Sequence, residues 1–201
     1  MIAFNVIHST KMKRLCLSFF LVLICYIGQL QAQNRRYTEE GYIVTLQNDT
    51  IYGLLKYKSR VQSCKTVFFL SATGNKKKYY ASELKGYSQN RVTYRSFPLP
   101  NDLLGASAFL KEFVKGEVNL YLRYVNSVMV MGPQSQVVTK TLEIFYYRKE
   151  DSKELIRVKK LGFKDQLSDV VKADVELSAM ILNKDYRYDD IVKIIEIYNQ
   201  G

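Results

Sequence analysis

Asp165 and Asp169 stand four residues apart, so a helix through them would bring both carboxylates to one face. Two acids are what glycoside hydrolysis requires, provided that they flank a cleft and that one of them holds its proton. Here Lys164 and Lys172 border the pair, which is the pattern of a solvated helix face. The stretch "NKDYRYDD" (183–190) sets oxygen ligands at alternate positions, as a calcium loop does. Arg187 occupies a place that such a loop gives to an acid or amide, and no glycine follows to make the sharp turn. His8 is the only histidine, and it precedes the expected mature chain. Its loss removes the imidazole that a Ser–His or Cys–His nucleophile, a histidine general base or a histidine metal ligand would need. Cys16 and Cys25 fall in the leader, so Cys64 has no internal disulfide partner and the thiols are too few for a zinc site. It reads as a half-buried cysteine at a strand end. Phosphate-loop and dinucleotide glycine spacings are both missing. The residues point to a protein without a catalytic centre, a metal site or a cofactor.

What remains is basic and aromatic. Lys76, Lys77 and Lys78 follow a Gly-Asn turn and should crown a hairpin tip, with Tyr79 and Tyr80 directly behind them. Lys159 and Lys160 mark a strand-to-helix junction. Together these seven residues form the candidate binding surface. Such charge could draw in anionic lipid headgroups or acidic glycans over a distance. The simpler reading is that lysines beside "TVFFL" keep a sheet edge from pairing with other chains. Fifteen of the sixteen tyrosines lie beyond the leader and could stack on sugars, although tyrosine is also an ordinary strand residue whose hydroxyl stays wet. No motif for nucleic-acid recognition is present.

The N-terminus sets the compartment. "KMKRLCLSFFLVLICYIGQLQAQ" runs from basic residues through an apolar stretch, Leu15 to Gly28, to a short polar end at Ala32, the order of a secretory signal peptide. As a helix that stretch would be about 21 Å long, short of the roughly 20 apolar residues of a membrane span. Residues 1–32 are therefore expected to be a leader cut near Ala32, with Met12 an alternative start. An uncleaved single anchor is the alternative and would leave the domain on the same, outer side. Net charge falls from +11 to +8 with the leader, which carries Lys11, Lys13 and Arg14 and no acid. No multi-span membrane protein is expected.

These side chains need a frame, and residues 41–160 supply period-two patterns. Residues 33–40 read as a linker. "GYIVTLQNDTIYGLLKY" (41–57) folds about Asn48-Asp49, which tolerate the positive φ of tight turns, and Gly53 marks a close approach or bulge. Further pairs are expected around residues 72–75, at Gln89-Asn90, at Lys115-Gly116 and at 150–152. "VMVMGPQSQVV" reads as a strand end and loop. Val118, Leu120, Leu122 and Tyr124 alternate with Glu117, Asn119, Tyr121 and Arg123. From 161 to 201 the period changes. Phe163, Leu167, Val170 and Val171 form one helical stripe, Leu177, Met180 and Ile181 a second, and Ile191, Ile194, Ile195 and Tyr198 a third. Asp189 and Asp190 suit the positive end of the last helix. Strands followed by helices imply an α+β fold: about eight to ten short antiparallel strands in a barrel- or sandwich-like sheet, with about three helices packed on it.

The stretches "GYIVTLQNDTIYGLLKY", "SELKGY", "FVKGEVNLY" and "YDDIVKIIEIYN" together resemble a group of uncharacterised secreted proteins of Bacteroidota-type bacteria, over roughly residues 41–199. In that group a D-T-I-x-G hairpin follows a signal peptide and a helix ending in Tyr-Asn closes the chain. The resemblance implies export and the α+β frame and brings no catalytic residue with it. The expectation is an exported, non-catalytic module of the cell envelope, periplasmic, outer-membrane-associated or extracellular, that binds an anionic glycan, a lipid or an envelope protein. An anchored structural subunit is the alternative, and a carboxylate-based cell-wall hydrolase a more distant one.

Overall fold

The structure, a computed structural model, describes residues 37–99, 107–131, 136–183 and 186–201. Residues 1–36 with the expected leader, 100–106 with Pro100 and Gly105, 132–135, and 184–185 of "NKDYRYDD" lie outside the described residues. By its internal contacts Glu39–Gly201 is one unit.

Alternation becomes strands wherever the sequence displays it. The first two, β1 (Tyr37–Thr45) and β2 (Thr50–Lys56), turn through Asn48 at φ 73°. The Thr45 hydroxyl accepts from the Asp49 N–H at 3.1 Å and closes that turn. A single helical turn, α1 (Arg60–Ser63), leads to β3 (Thr66–Ser71) and β4 (Lys76–Tyr80), joined through Gly74 at φ 84°. β5 (Leu84–Gln89) and β6 (Val92–Pro98) meet at Asn90 and Arg91, both left-handed, so the turn sits one residue beyond Gln89-Asn90. Then come β7 (Ser107–Val114), β8 (Val118–Met131), β9 (Gln136–Lys149) and the two-residue β10 (Ile156–Arg157).

All ten strands share one sheet, in the order β10-β9-β8-β7-β6-β5-β1-β2-β3-β4. The chain builds β1 to β4 outward, then returns to lay β5 against β1 with Tyr87 opposite Ile43. Every register described is antiparallel. The α+β class holds, and the sheet is open, with β4 and β10 as its two edges. Its strands are not uniformly short. β8 and β9 run fourteen residues each and stay paired from Val118–Lys149 to Met131–Gln136, so the expected strand end and loop at 128–138 is mostly ladder. Towards its far end this two-stranded arm exposes Val128, Met129, Val137 and Val138.

The open sheet is strongly curled. Ile43, Leu55, Val67, Phe69, Tyr87 and Phe109 form one core although they come from strands spread from β3 to β7. Cys64, between α1 and β3, reaches across to the place where β7 and β8 part. Lys111 still pairs with Leu122. Two residues on in each strand, the Phe109 N–H donates to the Cys64 carbonyl at 2.9 Å and the Tyr124 N–H donates to its Sγ at 3.4 Å. The Tyr87 hydroxyl donates to the neighbouring Ser63 carbonyl at 2.8 Å. Cys64 therefore stands in for a missing ladder pair, fully buried rather than half-buried. Burial raises its thiol pKa, against the smaller opposing effects of the Tyr124 N–H and Arg123. Gly53 does mark a close approach: a Cβ there would run into the Leu70 carbonyl and the Phe69 ring.

The helical stripes form α2 (Phe163–Val170), α3 (Val175–Leu182) and α4 (Ile191–Tyr198). Eight-residue helices are marginal in water and depend on packing. Here Leu167, Val170, Ile181, Ile191, Ile194 and Ile195 bury against Leu120, Leu122, Phe145 and Val158, on one face of β8 and β9. Each such side chain contributes about 1.5–3 kcal/mol on leaving water. Asp174 caps α3 by accepting from the Leu177 N–H at 2.9 Å. Asp190 accepts from the Arg187 N–H at 2.7 Å in the 3-10 turn that leads into α4. No helix among the described residues is long and apolar enough to cross a membrane.

Candidate anion-binding edge

The lysine run became β4, the outermost strand on its side of the sheet. Pairing with β3 sets Lys78 opposite Phe68, Lys76 opposite Leu70 and Tyr80 opposite Thr66. Lys76, Lys78 and Tyr80 thus look out from one face, while Lys77 and Tyr79 turn to the face that carries Val67 and Phe69. Lys76, Lys77, Lys78 and Tyr80 are exposed and Tyr79 is half-buried. The Lys77 ammonium lies 4.4 Å from the Tyr79 ring centre, and that of Lys78 lies 4.4 Å from Tyr80 and donates to its hydroxyl at 2.8 Å.

The register adds two lysines that the run did not reveal. Leu55 pairs with Phe69, so Lys56 falls beside Phe68, and Lys58 continues past the end of β2. The ammonium groups of Lys58, Lys56 and Lys78 lie 3.9, 5.6 and 5.9 Å from the Phe68 ring centre. Lys58 also donates to the Thr66 hydroxyl at 2.9 Å. Each cation gains from the negative face of the ring, yet three like charges round one ring oppose one another. Burial first, then Lys78 and Lys56, lower the pKa of Lys58. An oxyanion placed over this row would relieve that repulsion while the ring held the stems in place.

Lys159 and Lys160 do not join the row. They lie between β10 and α2, at the opposite edge in strand order. The Lys159 N–H donates to Gln166 Oε1 at 3.0 Å, and the Lys160 ammonium is 5.9 Å from the Tyr188 ring centre. The seven sequence candidates therefore divide between two edges.

Asp165 and Asp169 are both exposed on α2, and Asp169 takes a 3.3 Å ion pair from Lys172 in full solvent. Among the described residues no group of three or more His, Cys, Asp or Glu side chains could hold a metal ion. Comparison with known proteins finds no matching family model, curated protein or solved structure.

Proposed function

We propose that the chain is an exported, non-catalytic module of the cell envelope that binds an anionic component, lipid headgroups or acidic glycan, through the β4 edge. One observation carries the reading: Lys56, Lys58 and Lys78 converge on the Phe68 ring, with Lys58 partly desolvated among them. Edge protection alone would need scattered charge and no ring beneath it. Export rests on the leader-like N-terminus, in keeping with the secreted group that the hairpin and Tyr-Asn motifs resemble.

The test is sedimentation of the full chain with vesicles of neutral or anionic lipid and with neutral or acidic polysaccharide. Binding confined to the anionic members, weakening steeply with salt, and lost in K56Q/K58Q/K78Q supports the proposal. Equal binding to neutral members, or none to any, removes it.

A second reading, an accessory subunit that pairs with a neighbouring chain, draws on the β8–β9 arm. Its Val128 and Val137 are 64% and 67% exposed and lie on one face of the ribbon, where a second chain could cover them. Association lost on Val128→Lys and Val137→Lys would favour it.

A further inference from the structure

The sheet face of β6 to β9 turned away from the helices carries a second cationic site, one that no run of residues announces. Its floor includes Phe97 and Tyr121, which belong to a small core with Leu110 and Tyr146. Above it lies a depression of about 370 Å³ whose lining includes Lys85, Arg95, Lys115 and Arg148 against a single acid, Glu112. Arg95 spends its Nε on that acid, at 2.9 Å. Three positive charges are left over in a space of the size that small ligands occupy.

Arg148 is the centre of the argument. Its guanidinium carbon lies 5.5 Å from the Phe97 ring centre and 6.0 Å from that of Tyr121, so its charge rests beside two rings. Its Nε is buried and has no hydrogen-bond partner among the described residues, while the guanidinium also hydrogen-bonds the Tyr121 hydroxyl. A buried guanidinium N–H left unmade is costly, and the guanidinium's other N–H groups can form the fork that matches a carboxylate or phosphate. Opposite it across the β8–β9 ladder stands Asn119, which is buried and lines the same depression. Lys85 and Lys115 are exposed and stand at the rim, where charge steers an anion inward.

We infer that this depression binds a small oxyanion, a carboxylate or a phosphate, carried on a molecule about the size of one sugar ring, with Arg148 as the fork and Lys85, Arg95 and Lys115 as the surrounding charge. The site is independent of the β4 edge and stands whether or not that edge binds an envelope surface.

Calorimetric titration of the full chain with glucuronate, glucose 6-phosphate and neutral glucose tests the inference. Either acidic sugar should bind and glucose should not, and whichever acid binds more tightly identifies the oxyanion. Arg148→Gln should weaken that binding at least tenfold. The exposed pair K85Q/K115Q, which leaves the floor intact, should weaken it severalfold and flatten its salt dependence. K56Q/K58Q/K78Q should leave it unchanged. Failure of both acidic sugars to bind overturns the inference. So does binding that survives both R148Q and K85Q/K115Q, or that disappears only in K56Q/K58Q/K78Q.

Discussion

The side-chain amide of Asn199 pairs with the main chain of Val118 as a neighbouring strand would: its Oδ1 accepts from the Val118 N–H at 3.0 Å and its Nδ2 donates to the Val118 carbonyl at 2.9 Å. One residue earlier, the Tyr198 hydroxyl donates to Glu117 Oε1 at 2.7 Å. The Tyr-Asn end of the last helix is thus a clasp on the β7–β8 turn. Gly116 is part of it, because a Cβ there would meet the Asn199 amide.

Removing the clasp should loosen α4 from the sheet. Asn199→Ala leaves two partly buried main-chain groups without partners, each worth about 1–3 kcal/mol. Its expected cost is about 2 kcal/mol, read as a lower urea midpoint at constant slope. Gly116→Ala should act in the same direction by displacing the amide, and G116A/N199A should cost less than the two single changes added together.

The wedge at Cys64 makes a separate prediction. With its pKa raised by burial, the thiol should be inert to a disulfide reagent in the native protein and react at once in denaturant. Cys64→Ala removes the acceptor of the Tyr124 N–H and opens a small void, at a cost of about 1–3 kcal/mol. Thiol titration and urea unfolding measure the two effects.

Two stacked tyrosines should make the fold sensitive to alkali. The rings of Tyr87 and Tyr94 lie 4.6 Å apart and nearly parallel. Burial, more than any neighbouring charge, raises both phenol pKa values, that of Tyr94 from 10.0 to about 12. The folded state holds these protons where the unfolded chain releases them. Their contribution to stability is therefore intact below pH 10 and lost as pH rises from 10 towards 12. Lys58 works in the opposite sense, its pKa being lowered from 10.5. Urea midpoints across this range should fall, and Tyr94→Phe should flatten the fall.

Lys58 should also be the lysine of the β4 edge that acylates first. Its lowered pKa leaves more free amine at mildly alkaline pH than an ordinary lysine holds. Mass-spectrometric rates with a limiting acylating reagent check this. Raising the salt concentration should narrow the difference, since two of the three causes are neighbouring charges.

The sequence was informative where cause and effect lie close together in the chain. Val118, Leu120 and Leu122 alternate because one face of β8 meets the helices, and Ile191, Ile194 and Ile195 repeat at helical spacing because they answer that face. Asn48 and Gly74 sit where the turns need positive φ. What stayed hidden depends on pairings between distant residues. The β5–β1 junction, the curl that carries Cys64 to β7 and β8, and the hold of Asn199 on Val118 across 81 residues leave no local pattern. The site divides in the same way. A run of three lysines is visible at once, but Lys56 and Lys58 join Lys78 only through the β2–β3–β4 register, and Phe68 reads as one more apolar strand residue. Arg95 and Arg148 are likewise more than fifty residues apart and meet only in the sheet.

The most direct test of the anion-binding edge is an amide and side-chain NMR titration of the full chain with anionic lipid nanodiscs, followed at Lys56, Lys58, Phe68 and Lys78. The largest shifts should fall on these four residues, saturate together, and disappear both with neutral nanodiscs and in K56Q/K58Q/K78Q. Shifts that gather on the β8–β9 arm or around Lys159 and Lys160, with the Phe68 row unmoved, would contradict the account.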